Sequence, residues 1–146
     1  MRIAIASDHA GWSIKKQVGD FAESLGHVII DHGPDNSDRV DYPDFAQSVS
    51  QSVVSGQADR GILICGSGIG MSIAANRYKG VRAVIAISAL QAKMARQHND
   101  ANVLCVGARF SGMSVIEAMI SEFLESDFEG GRHEGRVAKI DAFDTK

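Results

Sequence analysis

Four consecutive apolar residues, Ile62-Leu63-Ile64-Cys65, run directly into three glycines on alternate positions, Gly66, Gly68 and Gly70. An unbroken apolar run suits a strand buried on both faces of a parallel sheet. Helical periodicity resumes near Met71, so the glycines read as a strand-to-helix turn. Lacking Cβ, they let the backbone take positive φ and let a ligand approach the amides, and amides near a helix start attract anions. Cys65 presents its thiol to the same turn. A thiol is ordinarily a weak acid, with a pKa of about 8.5, and a nearby helix N-terminus favours the thiolate. One turn therefore offers a candidate base and a candidate oxyanion cradle. A buried cysteine is commonly only a small hydrophobe, which suits Cys105 within Asn102–Val106. For Cys65 the flanking glycines favour function. The pattern is not the dinucleotide fingerprint, because Met71 stands at the third glycine's place and the turn follows the third predicted strand instead of the first. A nicotinamide cofactor is not expected.

The rest of the chain repeats the strand-helix alternation. Arg2–Ser7 reads as a first strand ending at Asp8-His9, and in open parallel sheets ligands bind at the strands' carboxyl edge, which makes both residues site candidates. The competing role for Asp8 is helix capping. Apolar residues at Ile14, Val18, Phe21, Ala22 and Leu25 mark an amphipathic helix over Trp12–Leu25, stopped by Gly26. His27–Asp31 is a second strand, and His32–Asp41 is a long polar loop of the kind that shapes binding sites. Tyr42 precedes Pro43, which suits the first position of a helix to about Ser55. Tyr42 either lines a pocket or packs. After the central turn come a helix over Met71–Tyr78, a strand over Arg82–Ile87, a helix over Ala89–Gln97 capped by Ser88, and a strand over Asn102–Val106. His98 and Asn99 lie between the last two, outside any apolar pattern. His98 serves either as a proton carrier or as a partner of the helix dipole. Gly107–Ser111 turns the chain and carries Arg109, and Met113 to Leu124 follow the spacing of a long amphipathic helix. Glu129–Arg136 is a glycine-rich hinge into a terminal helix over about 132–146. There Arg132 and Arg136, four apart, either share a face that grips phosphate or form a solvated face. Five strands alternating with helices make an α/β protein with a parallel sheet covered on both faces.

At 146 residues the chain suits one domain with a sizeable core and is short for two. A net charge of −3 without a lysine or arginine block gives no footprint for nucleic acid. No apolar stretch suggests a membrane span. Two cysteines without metal-ligand spacing fit a reducing compartment, and the short apolar run after Met1-Arg2 does not suit a signal peptide, so a cytoplasmic location is expected. The five histidines and the carboxylates show no ligand-spaced cluster, so no metal is expected.

Taken jointly, Ser7-Asp8-His9-Ala10-Gly11, Asp41-Tyr42-Pro43, Ile64 to Gly70, Ala74-Ala75-Asn76, Arg96 to Leu104 and Gly130-Gly131-Arg132-His133 resemble the B-type ribose-5-phosphate isomerases. The galactose-6-phosphate isomerase subunits belong to the same family. The resemblance spans essentially the whole chain. It implies a Rossmann-like three-layer α/β/α sandwich with strand order 2-1-3-5-4 and no metal or organic cofactor. It also implies a homodimer or dimer of dimers, with the terminal helix packing on a neighbouring subunit and a sugar phosphate as the small-molecule partner. Carried over residue by residue, it makes Cys65 the base that moves a proton between C1 and C2, with His98 assisting ring opening. Asp8, His9, the amides of Gly66, Ser67, Gly68, Ile69 and Gly70, and Asn99 would hold sugar oxygens and the enediolate, with Tyr42 beside the substrate and Arg109, Arg132 and Arg136 on the phosphate. Another branch of the family replaces the cysteine and carries a glutamate where this chain has Met71, so the resemblance is to the thiolate branch. Ser67 stands where some members carry threonine, which keeps the hydroxyl. Ribose 5-phosphate and ribulose 5-phosphate are the expected pair in the pentose phosphate pathway. The alternatives are a galactose, allose or erythrulose phosphate, or a phosphate-binding module without catalysis, which would have no need of Cys65 and His98 together.

Overall fold

The computed structural model describes residues 1–143. The element order is β1 (Arg2–Ser7), α1 (Trp12–Ser24), β2 (Val28–Asp31), α2 (Tyr42–Val54), β3 (Arg60–Cys65), α3 (Ile69–Ala75), β4 (Ala83–Ile85), α4 (Ala89–Asn99), β5 (Val103–Gly107), α5 (Met113–Glu125) and α6 (Glu134–Asp141), with a 3₁₀ turn at Gly131–His133 before α6. All strand pairs are parallel, and the order across the sheet is β2-β1-β3-β5-β4. The α/β fold and its strand order agree with those expected.

Each central strand is apolar on both faces because each face has its own helical layer. Ile3, Ile5, Ile62, Ile64, Leu104 and Val106 point toward α1, α4 and α5, where Val18, Ala22, Ala92, Ala95, Ile116 and Phe123 meet them. The alternate residues Ala4, Ala6, Leu63, Cys65, Val103 and Cys105 point toward α2 and α3, against Ala46, Val49, Met71 and Ala75. The period of two within each run thus sorts side chains between two cores.

Several boundaries differ from the sequence expectations. α3 starts at Ile69 instead of Met71, because Gly68 at φ 79° reverses the chain and leaves the next residue free to enter the helix. It stops at Ala75, where Asn76 turns its side chain to the Ala83 backbone instead, donating to the carbonyl and accepting from the amide at 2.8 Å each. β4 shortens to Ala83–Ile85 since, at the sheet edge, it pairs only with β5. α4 continues to Asn99 and closes on Asp100 in the left-handed region, so His98 and Asn99 form its last turn. Arg132 lies in the 3₁₀ turn and Arg136 in α6, so they do not share one regular helix face as the four-residue spacing suggests. The last three positions of the expected terminal helix, 144–146, lie outside the described residues.

Two buried arginines tie the final third of the chain to the sheet. Arg60 donates to the carbonyls of Phe123, Leu124 (2.8 Å) and Ser126 (3.3 Å), supplying donors to the open C-terminal end of α5. Burial, reinforced by the neighbouring charge of Arg96, pushes the Arg60 guanidinium down to about 10, which leaves it protonated at neutral pH. Arg96 donates to the Ala101 carbonyl and pairs with Asp100 at 2.9 Å. The chain leaving α5 is thereby held beside α4, where the Glu129 amide donates to the Gln97 carbonyl at 3.0 Å.

Candidate active site

The carboxyl edge of the sheet holds a cleft of about 440 Å³, a volume suited to a small phosphorylated metabolite. Asp8, His9, Tyr42, Cys65, Gly66, Ser67, Gly70 and Arg109 line it, and Ala10 and Phe110 complete the wall. Of the candidates in the glycine turn, Gly68 and Ile69 support the cleft without lining it.

The floor is built by the turn after β3. Cys65 is 5% exposed, and its Sγ accepts a hydrogen bond from the Gly68 amide at 3.0 Å, which fixes the sulfur at the base of the cleft. The Ile69 amide donates to Ser67 Oγ at 3.3 Å. Two of the five amides expected to cradle the substrate are therefore engaged within the turn, which leaves that role to the others. Cys105 points into the α2/α3 core one strand away, and full burial pushes its thiol far above the usual range. It is inert packing, whereas the Cys65 sulfur borders a solvent-filled cleft.

Asp8 caps the turn into α1 and also lines the cleft. Its Oδ1 accepts from the amides of Ala10 (2.9 Å) and Gly11 (3.0 Å), closing the entry to α1. The side chain nonetheless lines the cleft, so its second oxygen is available to a sugar hydroxyl. His9 Nδ1 faces the amide of Val40 at 3.5 Å, linking the His32–Asp41 loop to the rim. Tyr42, first residue of α2, packs across the turn because Gly70 has no side chain there; a Cβ at Gly70 would lie 2.6 Å from Tyr42 Cζ. Arg109 follows β5, donates its amide to the Gly66 carbonyl at 3.1 Å and lays its guanidinium over Gly66. A cation thus faces the cleft, matched to an anionic group.

His98, Asn99, Arg132 and Arg136 lie elsewhere in the same chain. α4 descends from the carboxyl edge, and nine residues at the α-helical rise carry His98 roughly 14 Å away from it. His98 and Asn99 border a different hollow, with Val84, Leu90 and Met94. There the His98 ring stacks on that of His133, centroids 4.5 Å apart and planes 8° from parallel. Glu129 lies at the edge of the pair, its Oε2 3.9 Å from His98 Nε2 and 3.8 Å from His133 Nε2. Arg132 Nε donates to His133 Nε2 at 3.3 Å. Burial first, then His98, Arg132 and Arg136, hold the His133 imidazole below its usual pKa, with Glu129 opposing.

Sequence spacing shows no ligand cluster, yet the fold gathers three candidate ligand atoms, from His98, Glu129 and His133, within 4.8 Å of one another among the described residues. They do not fit a metal ion. The in-plane lone pairs of two nearly parallel rings do not converge on one point, and the lone pair of His133 already accepts from a guanidinium. Glu129 and His133 were missed as site residues, since only the return of the chain from α5 places them beside α4. Phe110 was missed too, although an aromatic next to Arg109 just after a strand's carboxyl end was a readable signal.

Against this geometry the comparisons with known proteins are consistent. The family model described as Ribose/Galactose Isomerase matches residues 3–140. Ribose-5-phosphate isomerase B of Escherichia coli is 41% identical over 145 residues, covering 99% of this chain and 97% of the relative. A crystal structure of a ribose 5-phosphate isomerase of Thermotoga maritima superposes with a TM-score of 0.94 at 46% identity, covering 97% of this chain and 98% of that one. The ribose-5-phosphate isomerase B of Mycoplasma genitalium, solved with bound ribulose-5-phosphate, superposes with a TM-score of 0.91 at 44% identity, covering 96% and 93%. No helix among the described residues is long and apolar enough to cross a membrane. With its strand order, its cysteine-glycine turn and its agreement with these proteins along almost the whole length, the chain belongs to the ribose/galactose isomerase family.

Proposed function

We propose that the protein interconverts ribose 5-phosphate and ribulose 5-phosphate through an enediolate, with Cys65 as base and with each site completed by a second copy of the chain. The observation that carries the reading is the Cys65 sulfur on the floor of a cleft that also presents Asp8, His9 and Arg109. Aldose–ketose isomerisation needs a base over the C1–C2 edge, donors for the developing oxyanion and an anchor for the phosphate. With the sugar open, the Cys65 thiolate takes the proton from C2 of the aldose while the C1 carbonyl oxygen becomes the enediolate oxygen. The same proton, or one exchanged with solvent, returns to C1 while the C2 hydroxyl gives up its proton and the C1 oxygen takes one up, which leaves a hydroxyl at C1 and a carbonyl at C2. Turn amides not used internally, and the free oxygen of Asp8, are the groups in reach of the sugar oxygens. Arg109 serves the phosphate. No step calls on a metal or organic cofactor.

The second copy follows from where His98 lies. Leu90, Met94 and His98 are spaced by four on one face of α4, and Leu90 and Met94 are 65% and 43% exposed. Phe110 on the cleft wall is exposed, as are Ile69 and Ile73, four apart on α3, the helix that follows the Cys65 turn. Apolar patches edged by functional polar groups suit a protein interface. Docking the α4 face of one copy on the cleft rim of another, about a two-fold axis, brings His98, Asn99, Arg132 and Arg136 toward Cys65 twice over. The pentose phosphate pathway is the metabolic setting that this reaction implies.

A panel of tetrose, pentose and hexose phosphates followed by NMR tests the reading. Preferred turnover of the pentose is expected. Preference for a hexose 6-phosphate or a tetrose 4-phosphate would shift the substrate and keep the chemistry, and no turnover of any would leave a binding module.

A further inference from the structure

We infer that Glu129 is a positioning residue for ring opening, acting through His98; the inference rests on the isomerase reading above. Aldopentose phosphates exist mainly as furanoses, so the ring must open before C2 can lose its proton. In that step His98 gives a proton to the ring oxygen O4 as its bond to C1 breaks, and the anomeric hydroxyl releases its proton to water as C1 becomes a carbonyl. The imidazole must then recover a proton and keep its orientation between turnovers.

The surroundings of His98 divide these tasks. Its ring lies on the His133 ring at 4.5 Å, which sets its plane. His133 is 5% exposed, and the Arg132 Nε–H occupies its Nε2 lone pair. That leaves His133 a neutral spacer whose proton sits on Nδ1, and not a second proton carrier. Among the described residues Glu129 is the carboxylate within 4 Å of His98 Nε2. It faces His98 Nε2, while Arg132 and Arg136 are the cations beside the stacked His133. Its backbone is fixed independently, through the Glu129 amide to the Gln97 carbonyl, one residue before His98. The carboxylate is therefore presented to His98 by α4 itself, and about half exposed it remains in reach of water that can resupply the proton. At 3.9 Å the pair is an electrostatic contact and not a direct hydrogen bond, and a carboxylate so placed favours one orientation of the imidazole, as carboxylates beside histidines do at proton-transfer sites.

The ketose separates this role from a merely structural one. With O5 phosphorylated, ribulose 5-phosphate cannot close a five-membered ring, so its enolisation needs Cys65 and no ring opening. In Glu129→Gln, turnover of ribose 5-phosphate should fall at least about ten-fold with KM within about three-fold, the range expected when one general acid is impaired. Loss of the C1 proton signal of ribulose 5-phosphate in D2O should stay within about two-fold of wild type. Glu129→Asp, which keeps the charge on a shorter stem, should recover part of the aldose rate. Equal loss in both arms would make Glu129 structural and overturn the inference, as would an unchanged aldose rate. Wild-type protein inactive on both sugars would instead overturn the isomerase reading.

Discussion

Cys65 and Cys105 show how little residue type says without its surroundings. Both are buried and both sit on strands, yet one ends its strand beside a cleft and receives the Gly68 amide, while the other packs against α2 and α3. Cys65→Ala removes only the sulfur at a position whose backbone is held by β3 and by the Ala108 amide bonded to the Cys65 carbonyl at 2.8 Å. Its kcat should fall about 10²–10⁴-fold, the usual contribution of a positioned base. Sugar-phosphate affinity by calorimetry should change little, because Arg109 and the rim residues remain. Near-normal loss of the ketose C1 proton signal in the alanine variant would make Cys65 structural and move the search for a base to Asp8. Cys65→Ser should fare little better than alanine, since a hydroxyl leaves almost no anion at neutral pH.

Helix direction decides what each element can contribute. In a parallel sheet every strand delivers its last residues to the carboxyl edge and every covering helix returns the chain to the opposite edge. Asp8 and Arg109 follow strands, Cys65 ends one, and the three share a cleft; His98 and Asn99 end a helix and line a different hollow of the same chain. The segment stacked on His98, the 3₁₀ turn with His133, carries its own pH signature. His133 is held below its ordinary pKa of 6.5 chiefly by burial, so the folded protein resists a proton that the unfolded chain accepts. More protons bound in the unfolded state means stability that rises with pH and declines as pH drops below about 6.5. His27, lowered first by burial and then by the N-terminal charge, adds in the same direction. Urea unfolding between pH 5 and 7.5 should show this slope, and His133→Gln, which stays neutral, should flatten it without abolishing it. An unchanged slope in the variant would remove His133 as a source.

For the whole molecule, the division of candidate residues between the cleft and the far end of α4 makes assembly, under the proposed function, a testable condition for activity. Cys65→Ala and Arg132→Ala/Arg136→Ala chains should each be inactive alone. After subunit exchange a mixed two-fold dimer has one site with an intact cysteine and intact arginines, and with half the dimers mixed, about a quarter of wild-type activity should return. Exchange verified by mass spectrometry with no recovered activity would place the arginines at their own chain's cleft, or on no site at all.

What the sequence by itself determined is local and periodic: apolar runs set five strands, 3.6-residue spacing set the helices between them, and glycines after Cys65 marked the turn that floors the cleft. Those features depend on neighbours within a few residues, and so they survive reading in one dimension. The strand order, legible only through the resemblance, depends on crossovers that periodicity does not record. Three things were decided by tertiary structure alone. α4 runs two residues further than its apolar pattern, because Asp100 in the left-handed region and the Arg96 contacts with Asp100 and Ala101 close it. Arg132 entered a 3₁₀ turn because Gly130 and Gly131, both at positive φ, bend the chain just before α6. And His98 met Glu129 and His133, residues some 30 positions on, because Arg60 and Arg96 hold the end of α5 against the sheet and bring the returning chain beside α4. Contacts between distant segments arise from packing two cores onto one sheet, and no spacing along the chain encodes them.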